Sequence, residues 1–331
     1  MTFKILSIDG GGIRGIIPGQ ILVTLEKKLQ FKTNNPDARI GQYFDLVAGT
    51  STGAILAAVY VCPGENAELK FSAQDAVDFY LKNGEKIFRW SFFRKLSTLW
   101  SVLNEKFSAK ALEETLDKTF GDTKLSELSK PTCIISYDIK KRKPIIFSQH
   151  YALKKNEDFL VKDLLRSSTA APTYFEAVQI KSLGKRQKIL DLVDGGVVAN
   201  DPTLCAYSEA LKFDNVNGLK DMMILSLGSG RELQPYFYCQ VKNWGIFRWA
   251  KPSLDIALEG GPQMTEYYMK KIASTVKDSK FYRIQPSLYG ADTQMDNASA
   301  ENIEKLKCAG IKNSEDFNLI LDKVVDELIK C

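Results

Sequence analysis

Two glycine-rich segments, each directly after a short apolar-rich run, constrain the fold of this chain most strongly. Residues 9–15 (D-G-G-G-I-R-G) follow the run 3–8, and residues 49–53 (G-T-S-T-G) follow the run 44–48. Apolar runs of this length, bounded by turn signals, are typical of buried strands. Glycines let the backbone turn sharply where a strand ends. Each segment therefore predicts a strand, a tight loop and a helix.

The second segment has the G-x-S-x-G pattern of a nucleophile elbow, in which a sharp turn exposes the serine hydroxyl above a sheet. This pattern makes Ser51 the candidate nucleophile. In the first segment, the backbone N–H groups of Gly10, Gly11 and Gly12 carry no side chains over them. Such groups suit an oxyanion hole, so the two segments together indicate a serine acyl hydrolase.

A serine nucleophile needs a base, and the single histidine of the chain, His150, is poorly placed along the sequence to be one. It precedes the best acid candidate, Asp194, whereas in α/β-hydrolases the histidine follows the acid. Asp194 itself follows the strand-like run 189–193 and precedes two glycines. We therefore predict that Asp194 is the general base and that His150 is structural. Asp9 also begins a D-G-G triplet, but its place before the oxyanion loop favours a bracing role.

These motifs resemble those of the patatin-like phospholipases, which use a serine–aspartate dyad. The family's D-G-G-G-x-[RK]-G, G-x-S-x-G and D-G-[GA] patterns occur here in order, at 9–15, 49–53 and 194–196. Residues 168–175, 198–203 and 225–230 resemble further family blocks. Asp201 departs from the pattern, since the family often has a second asparagine there. The resemblance covers about residues 3–230, and no motif is assigned beyond it.

The resemblance implies a single three-layer α/β/α domain over residues 1–331 with a mostly parallel central sheet. Residues 231–331 would form a C-terminal helical part of the same domain, and the glycine loops would lie at the carboxyl edge of the sheet. It also implies a lipid acyl hydrolase of the phospholipase A or lysophospholipase type, which forms an acyl-enzyme on Ser51. Neither a metal nor an organic cofactor is implied.

Two alternatives remain open at this point. Gly10, Gly12 and Gly15 match a dinucleotide-binding fingerprint, which would indicate an oxidoreductase. That motif requires an acidic residue about twenty positions later, at the end of a second strand, and residues 29–35 provide neither. The other alternative is a non-catalytic lipid- or nucleotide-binding relative, in which the dyad would normally be broken.

Arg14 and two aromatic segments are candidates for lipid contact. Arg14 is either a solvated residue on the first helical turn or a ligand for a substrate phosphate, which a guanidinium fits well. Residues 87–96 and 234–249 interleave aromatic and basic side chains, a pattern that suits the headgroup layer of a bilayer. The same segments could instead form core or a lid.

Composition is that of an ordinary globular protein, and we expect a cytoplasmic location. The resemblance and the two aromatic segments imply a peripherally membrane-associated enzyme that acts on membrane phospholipids. The formal net charge of +5 does not indicate a specific nucleic-acid partner. The six cysteines are widely spaced and contain no C-x-x-C pair, so neither a metal site nor a disulfide framework is expected. The resemblance also admits a cyclic-nucleotide activator, as in bacterial anti-phage members of the family, and a homo-oligomer.

Overall fold

A single eight-stranded sheet organises the chain. The computed structural model describes residues 2–65, 68–88, 108–155, 157–184, 187–231 and 235–330. The strands are β1 (Phe3–Ile8), β2 (Leu46–Thr50), β3 (Thr132–Asp138), β4 (Lys143–Ser148), β5 (Val178–Lys181), β6 (Ile189–Asp194), β7 (Met222–Leu227) and β8 (Lys280–Ile284). Their order is β5-β6-β3-β2-β1-β7-β8, with β4 paired to β3. The five strands from β3 to β8 in this order are parallel, and the pairs β3–β4, β3–β6 and β5–β6 are antiparallel.

Helices cover both faces of this sheet. They are α1 (Ile16–Thr33), α2 (Thr52–Tyr60), α3 (Ala73–Ile87), α4 (Lys110–Phe120), α5 (Gln149–Lys155), α6 (Val161–Ser168), α7 (Gly196–Ala199), α8 (Thr203–Ala210), α9 (Tyr238–Val241), α10 (Ile246–Ser274), α11 (Ala300–Asp316) and α12 (Asn318–Leu328). Short 3-10 turns occur at Gly12–Gly15, Ile40–Gln42, Leu125–Glu127 and Leu219–Asp221.

Side chains that alternate along each strand build two separate cores. Leu6 and Ile8 of β1 belong to the larger core, under α1, α2 and α3, whereas Ile5 faces the other side. There it packs in a smaller core with Ala206 of α8 and Met269 of α10. This alternation follows from the two-residue period of a strand. The α/β/α arrangement with a mostly parallel sheet is thus confirmed.

Strand register brings the glycine-rich loops to one edge of the sheet. Ile8, the last residue of β1, pairs with Gly49 of β2 and with Leu227 of β7. The parallel strands β1, β2 and β7 therefore end at the same level. The loops that follow them are neighbours at this carboxyl edge, which is where open parallel sheets bind ligands.

The part of the chain beyond residue 231 differs from the sequence expectation. It is not only helical, because it also supplies β8, which extends the sheet beside β7. The spacing of apolar residues after Ser314 predicts a long amphipathic helix that begins at this residue, but Ser314 lies inside α11, where its hydroxyl donates to the Gly310 carbonyl at 2.9 Å. The final helix, α12, begins at Asn318. Across the described ranges, no helix combines the length and apolarity needed to cross a bilayer.

Candidate active site

Ser51 occupies a strained turn between β2 and α2. Its backbone has φ of 55° and ψ of −124°, in a region that residues with a side chain rarely adopt. The turn is tight enough that a Cβ on Gly49 would lie 2.2 Å from the Gly53 carbonyl oxygen. Ser168 of α6 supports it, because its hydroxyl accepts a hydrogen bond from the Ser51 N–H at 2.9 Å. The predicted elbow geometry is therefore present.

The Ser51 hydroxyl points directly at Asp194. Ser51 Oγ donates to Asp194 Oδ2 at 2.7 Å. The second carboxylate oxygen, Oδ1, accepts from the Gly196 N–H at 2.7 Å, and the Asp194 N–H donates to the Ala170 carbonyl at 3.0 Å. The end of β6, the glycine turn after it and the segment 168–175 thus fix the carboxylate in one orientation.

Burial tunes the basicity of Asp194. Removal of the carboxylate from water raises its pKa from 3.8 to about 7, although the hydrogen bonds from Gly196 and Ser51 oppose this shift. A general base works best when its pKa lies near the working pH. Burial therefore makes this carboxylate a stronger base than an exposed aspartate.

The glycine loop lies beside the dyad, and its three glycines differ in whether their backbone N–H groups are hydrogen-bonded. The Gly10 N–H already donates to the Asn200 carbonyl at 3.0 Å. Among the described residues, no hydrogen bond engages the N–H groups of Gly11 or Gly12, and both glycines line the cleft that holds Ser51. The oxyanion role of Gly10, Gly11 and Gly12 stays a prediction, and the free donors are those of Gly11 and Gly12.

Two side chains that the sequence did not single out hold this loop in place. Ser229, after β7, donates through its hydroxyl to the Gly10 carbonyl at 2.7 Å. The Asn200 amide donates to the same carbonyl at 3.4 Å and to the Leu258 carbonyl of α10 at 3.0 Å. Both lie in motifs of the sequence pattern, at 225–230 and 198–203, so a role near the loop could have been anticipated from their position.

A buried ion cluster braces the start of the loop. Arg283 of β8 donates through both terminal nitrogens to the Asp9 carboxylate, at 2.8 and 2.6 Å. Its Nη1 also lies 3.3 Å from the Asp201 carboxylate, and all three side chains are almost completely buried. Burial alone would lower the pKa of Arg283, but Asp9 and Asp201 raise it above the ordinary arginine value. This two-fold contact with Arg283 agrees with the bracing role predicted for Asp9, while burial also raises the pKa of Asp9 to about 7.

A largely apolar cleft opens above the dyad. Ser51, Asp194, Gly11 and Gly12 line one part of it. Aliphatic and aromatic side chains of α2, α3, α4 and the segment 171–175 line much of the rest, namely Ile55, Phe79, Tyr80, Ile87, Phe88, Leu112, Tyr174 and Phe175. A cleft with such an apolar lining suits a ligand with a long apolar part.

Arg14 is buried and does not line this cleft. Its side chain donates through Nη1 to the Thr293 carbonyl at 3.2 Å, and it is absent from the cleft lining. Burial lowers its pKa from the ordinary arginine value. The solvated alternative is therefore wrong, because the residue is only 3% exposed. The contact of Arg14 with a substrate phosphate stays a prediction, since the side chain does not reach the cleft in this structure.

His150 lies away from the dyad. It is in α5, directly after β4, and Ser148 at the end of β4 pairs with Cys133 near the start of β3. His150 is thus near the amino edge of the parallel strands, whereas Ser51 is at the carboxyl edge. Its ring packs 6.3 Å from that of Phe213. This placement agrees with the predicted structural role.

The site offers little to a dinucleotide or a metal. The strand after the glycine loop is β2, and Ser51 follows its last residue where a dinucleotide site would place the carboxylate for a ribose. Within the described ranges, no group of three or more histidine, cysteine, aspartate or glutamate side chains could hold a metal ion.

Most of the aromatic segment 87–96 lies outside the described residues. The second segment is exposed at the surface around α9 and the start of α10. Its most exposed apolar side chains are Phe237, Tyr238, Ile246 and Phe247. Trp244 packs edge-on against Trp249, with ring centroids 5.4 Å apart. The lid and membrane interpretations both stay predictions for this segment, while the core interpretation is wrong for its exposed members.

Comparison with known proteins identifies relatives over nearly the whole chain. A family model described as patatin-like phospholipase matches residues 6–207. Patatin-like protein 2 of Oryza sativa subsp. indica is 35% identical, over 98% of this chain and 85% of its own. Patatin-like protein 4 of Arabidopsis thaliana is 33% identical, over 93% and 82%. A protein of Solanum tuberosum named probable inactive patatin-3-Kuras 1 is 35% identical, over 90% and 83%.

Among solved structures, VipD from Legionella pneumophila aligns with 97% of this chain and 67% of its own, at 12% identity and a TM-score of 0.44. Human GIVD cytosolic phospholipase A2 aligns with 99% of this chain and 59% of its own, at 11% identity and a TM-score of 0.43. Both TM-scores are below 0.5, so family membership rests on the family model and the sequence relatives.

Proposed function

The chain belongs to the patatin-like phospholipase family, and on this premise we propose that it is a lipid acyl hydrolase. It cleaves fatty-acyl esters of membrane glycerophospholipids, as a phospholipase A or lysophospholipase. The observation that carries this proposal is the 2.7 Å hydrogen bond from Ser51 Oγ to Asp194 Oδ2 beside an apolar cleft. Intact dyad geometry favours an enzyme over a non-catalytic lipid- or nucleotide-binding relative.

In the acylation step, Asp194 takes the proton of Ser51 as the hydroxyl oxygen attacks the ester carbonyl. The N–H groups of Gly11 and Gly12 donate to the oxyanion of the tetrahedral intermediate, where fixed donors are worth far more than in water. Collapse of the intermediate breaks the ester bond, and Asp194 returns its proton to the departing lysolipid oxygen. The acyl group stays on Ser51.

In the deacylation step, a water molecule replaces the alcohol. Asp194 removes a proton from this water, which attacks the acyl-enzyme carbonyl through the same oxyanion site. The fatty acid then leaves and the proton returns to Ser51. Because one carboxylate serves as both base and acid, a pKa of about 7 lets it exist in both states near neutral pH.

The shape of the cleft supports a fatty-acyl substrate. The walls on α3 and α4 are apolar. Burial of each substrate methylene against such walls contributes roughly 0.8 kcal/mol to binding. The polar groups converge at one place, where Ser51, Asp194 and the glycine loop meet. A long acyl chain along the walls would leave its ester carbonyl at this convergence.

We further propose that the enzyme reaches its substrate by peripheral contact with a bilayer. Phe247 and Ile246 are 89% and 86% exposed, which is unusual for large apolar side chains on adjacent positions. They lie at the start of α10, the helix that also supplies Leu258 to the cleft. A contact of this segment with lipid would bring the bilayer towards the mouth of the cleft.

The proposed activity is tested by incubating the purified protein with mixed phospholipid vesicles and analysing the products by mass spectrometry. We expect free fatty acids, accompanied by lysophospholipids in equal amounts if only one acyl chain is removed and in smaller amounts if the lysophospholipids are cleaved as well, and neither product with Ser51→Ala. Since one relative is named inactive, the absence of both products from the parent protein would favour the non-catalytic alternative. Addition of cyclic nucleotides in a parallel sample tests the activator.

A further inference from the structure

The hairpin between β3 and β4 ends in an unbroken run of cations. Residues 139–143 (I-K-K-R-K), here called the basic tip, are all exposed. The Asp138 carboxylate accepts hydrogen bonds from the N–H groups of Lys140 and Lys141, at 3.0 and 2.8 Å. These bonds fix the turn, so the cationic side chains project from a defined backbone.

The register of β3 places the basic tip at the same edge of the sheet as the dyad. Ile135 of β3 pairs with Thr50, the residue before Ser51. The strand then continues for three residues, to Asp138, which at about 3.3 Å per residue is about 10 Å. The basic tip therefore projects past the level of the nucleophile at the carboxyl edge.

The cations of the basic tip have few partners within the protein. Lys141 Nζ lies 4.0 Å from the Asp138 carboxylate. In the described part of the chain, no ion pair includes Lys140, Arg142 or Lys143. The neighbouring Asp191 accepts the Ile139 N–H through its carbonyl, and its carboxylate accepts from the Gln179 amide. Three cations are thus available to an external anion.

The backbone at the basic tip also points to a role beyond the fold. Arg142 has a φ of +54°, a left-handed conformation that is unfavourable for a residue with a side chain. Glycine or asparagine would fill this position at lower cost. An arginine there does not improve the stability of the turn, whereas it does add a fourth consecutive cation to the surface.

We propose that the basic tip docks on the headgroups of an anionic membrane. This inference rests on the proposed lipid hydrolysis, since the bilayer would then hold the substrate, and it names the element that orients the cleft towards that bilayer. A cation near an anionic surface contributes roughly a fivefold gain in binding. Ile139, which is 41% exposed, can enter the headgroup layer beside the cations. A single-stranded nucleic acid fits less well, because no side chain of residues 139–143 offers a ring for base stacking.

The test is vesicle flotation in a Ser51→Ala background, which prevents hydrolysis during the measurement. The basic-tip variant carries Lys140→Gln, Arg142→Asn and Lys143→Gln. A charge-matched control carries Gln in place of Lys27, Lys220 and Lys277, which are exposed. Lys220 and Lys277 shortly precede β7 and β8, so they lie at the opposite, amino edge of the sheet.

With phosphatidylcholine vesicles containing phosphatidylserine, the basic-tip variant should bind on the order of 100-fold more weakly than its parent. The control variant should lose much less, and vesicles of phosphatidylcholine alone should not separate the two. Equal loss in both variants would assign the effect to net charge and overturn the proposal. Unchanged flotation, with weakened binding to single-stranded RNA, would overturn it in favour of a nucleic acid.

A soluble substrate separates this inference from the proposed function. With Ser51 intact, the basic-tip variant should hydrolyse a short-chain p-nitrophenyl ester as fast as the parent protein. A loss of that activity would mean that the tip supports the catalytic site, which overturns the docking role. If Ser51→Ala retained ester hydrolysis, the proposed catalytic function would fail while the flotation result still decided the role of the tip.

Discussion

Arg283 donates to both carboxylate oxygens of Asp9, at 2.8 and 2.6 Å, and so joins β8 to the residue that begins the glycine loop. Its Nη1 also donates to the Ser226 hydroxyl of β7 at 2.8 Å. The backbone of the loop can present N–H groups to an oxyanion only if its start is held. The C-terminal strand β8 thus contributes to the site without lining the cleft.

Removal of this guanidinium should destabilise the protein strongly. Arg283→Met leaves Asp9 and Asp201 buried without a cation, and breaking a buried pair in this way costs about 3–5 kcal/mol. Urea denaturation measures the loss. The control is Lys28→Met, which removes the partly exposed Lys28–Asp322 pair at 2.6 Å and should cost about 0–1 kcal/mol. The double variant Arg283→Met, Asp9→Asn should lose less stability than the sum of the losses in the two single variants. Strict additivity would contradict the pairing.

The dyad should behave as one catalytic unit. Ser51→Ala and Asp194→Ala should each lower kcat for a p-nitrophenyl ester on the order of 10⁴-fold or more, and the double variant should be little worse than either. His150→Ala is the control and should keep most of the activity, because His150 lies near the other edge of the sheet. Strong activity in purified Asp194→Ala would remove the carboxylate from the mechanism.

The raised pKa of Asp194 predicts a pH dependence in activity and in stability. Since only the ionised carboxylate can act as base, hydrolysis of a soluble ester should rise as the pH passes through about 7. The free energy of unfolding should change with pH in the opposite direction to the activity. The unfolded state loses the Asp194 proton near pH 4 and the folded state only near 7, so the free energy of unfolding falls as the pH rises between these values.

Asp194→Asn removes that penalty and should therefore stabilise the fold more at pH 8 than at pH 4, as measured by thermal unfolding. Asp214→Asn is a suitable control, because Asp214 is exposed and its substitution should not produce a comparable pH-dependent gain. If the difference between Asp194→Asn and the parent protein were the same at both pH values, the carboxylate would not have the raised pKa on which the proposed proton transfer depends.

The glycine loop should not accept a side chain at Gly11. A Cβ there would lie 2.1 Å from the hydroxyl oxygen of Ser229, so Gly11→Ala must displace either the loop or Ser229. Loss of one oxyanion donor typically lowers kcat on the order of 10²–10³-fold. Gly260→Ala is the control, because nothing lies within 4 Å of a Cβ at that position. Equal turnover of the two variants with p-nitrophenyl esters would exclude the loop from the oxyanion site.

Sequence motifs predicted Ser51 and Asp194 as partners, and the structure places their side chains in contact, because chemistry restricts which residues can occupy such positions. The strand–elbow–helix order predicted Ser51, and the D-G-G turn predicted the place of Asp194. Local patterns capture these features since each depends on a few consecutive residues. Asn200 and Ser229 also lie within the matched motifs, but the motifs did not predict their hydrogen bonds to Gly10.

Long-range features escaped the same reasoning for physical reasons. Arg283 meets Asp9 across 274 residues of sequence, and no local pattern records such a pairing. The helix α10 contains Pro252 and Pro262, which predict breaks rather than continuation because proline lacks the donor for the helical hydrogen bond. The edge strand β8 is only half-buried, so its apolar signal is weak.

Phe247 at the start of α10 should contribute to bilayer binding. Its side chain is 89% exposed, and full burial of a phenylalanine in an apolar medium gains about 1.5–3 kcal/mol. Phe247→Ser should therefore weaken flotation with neutral phosphatidylcholine vesicles about tenfold or more.

Phe31→Ser is a closely matched control, because Phe31 is 90% exposed but lies near the end of α1, where the helix has returned to the amino edge of the sheet. Hydrolysis of a soluble ester should stay unchanged in both variants. Equal weakening of flotation by both would indicate that exposed apolar area binds lipid wherever it lies, and α10 would then have no special place in docking.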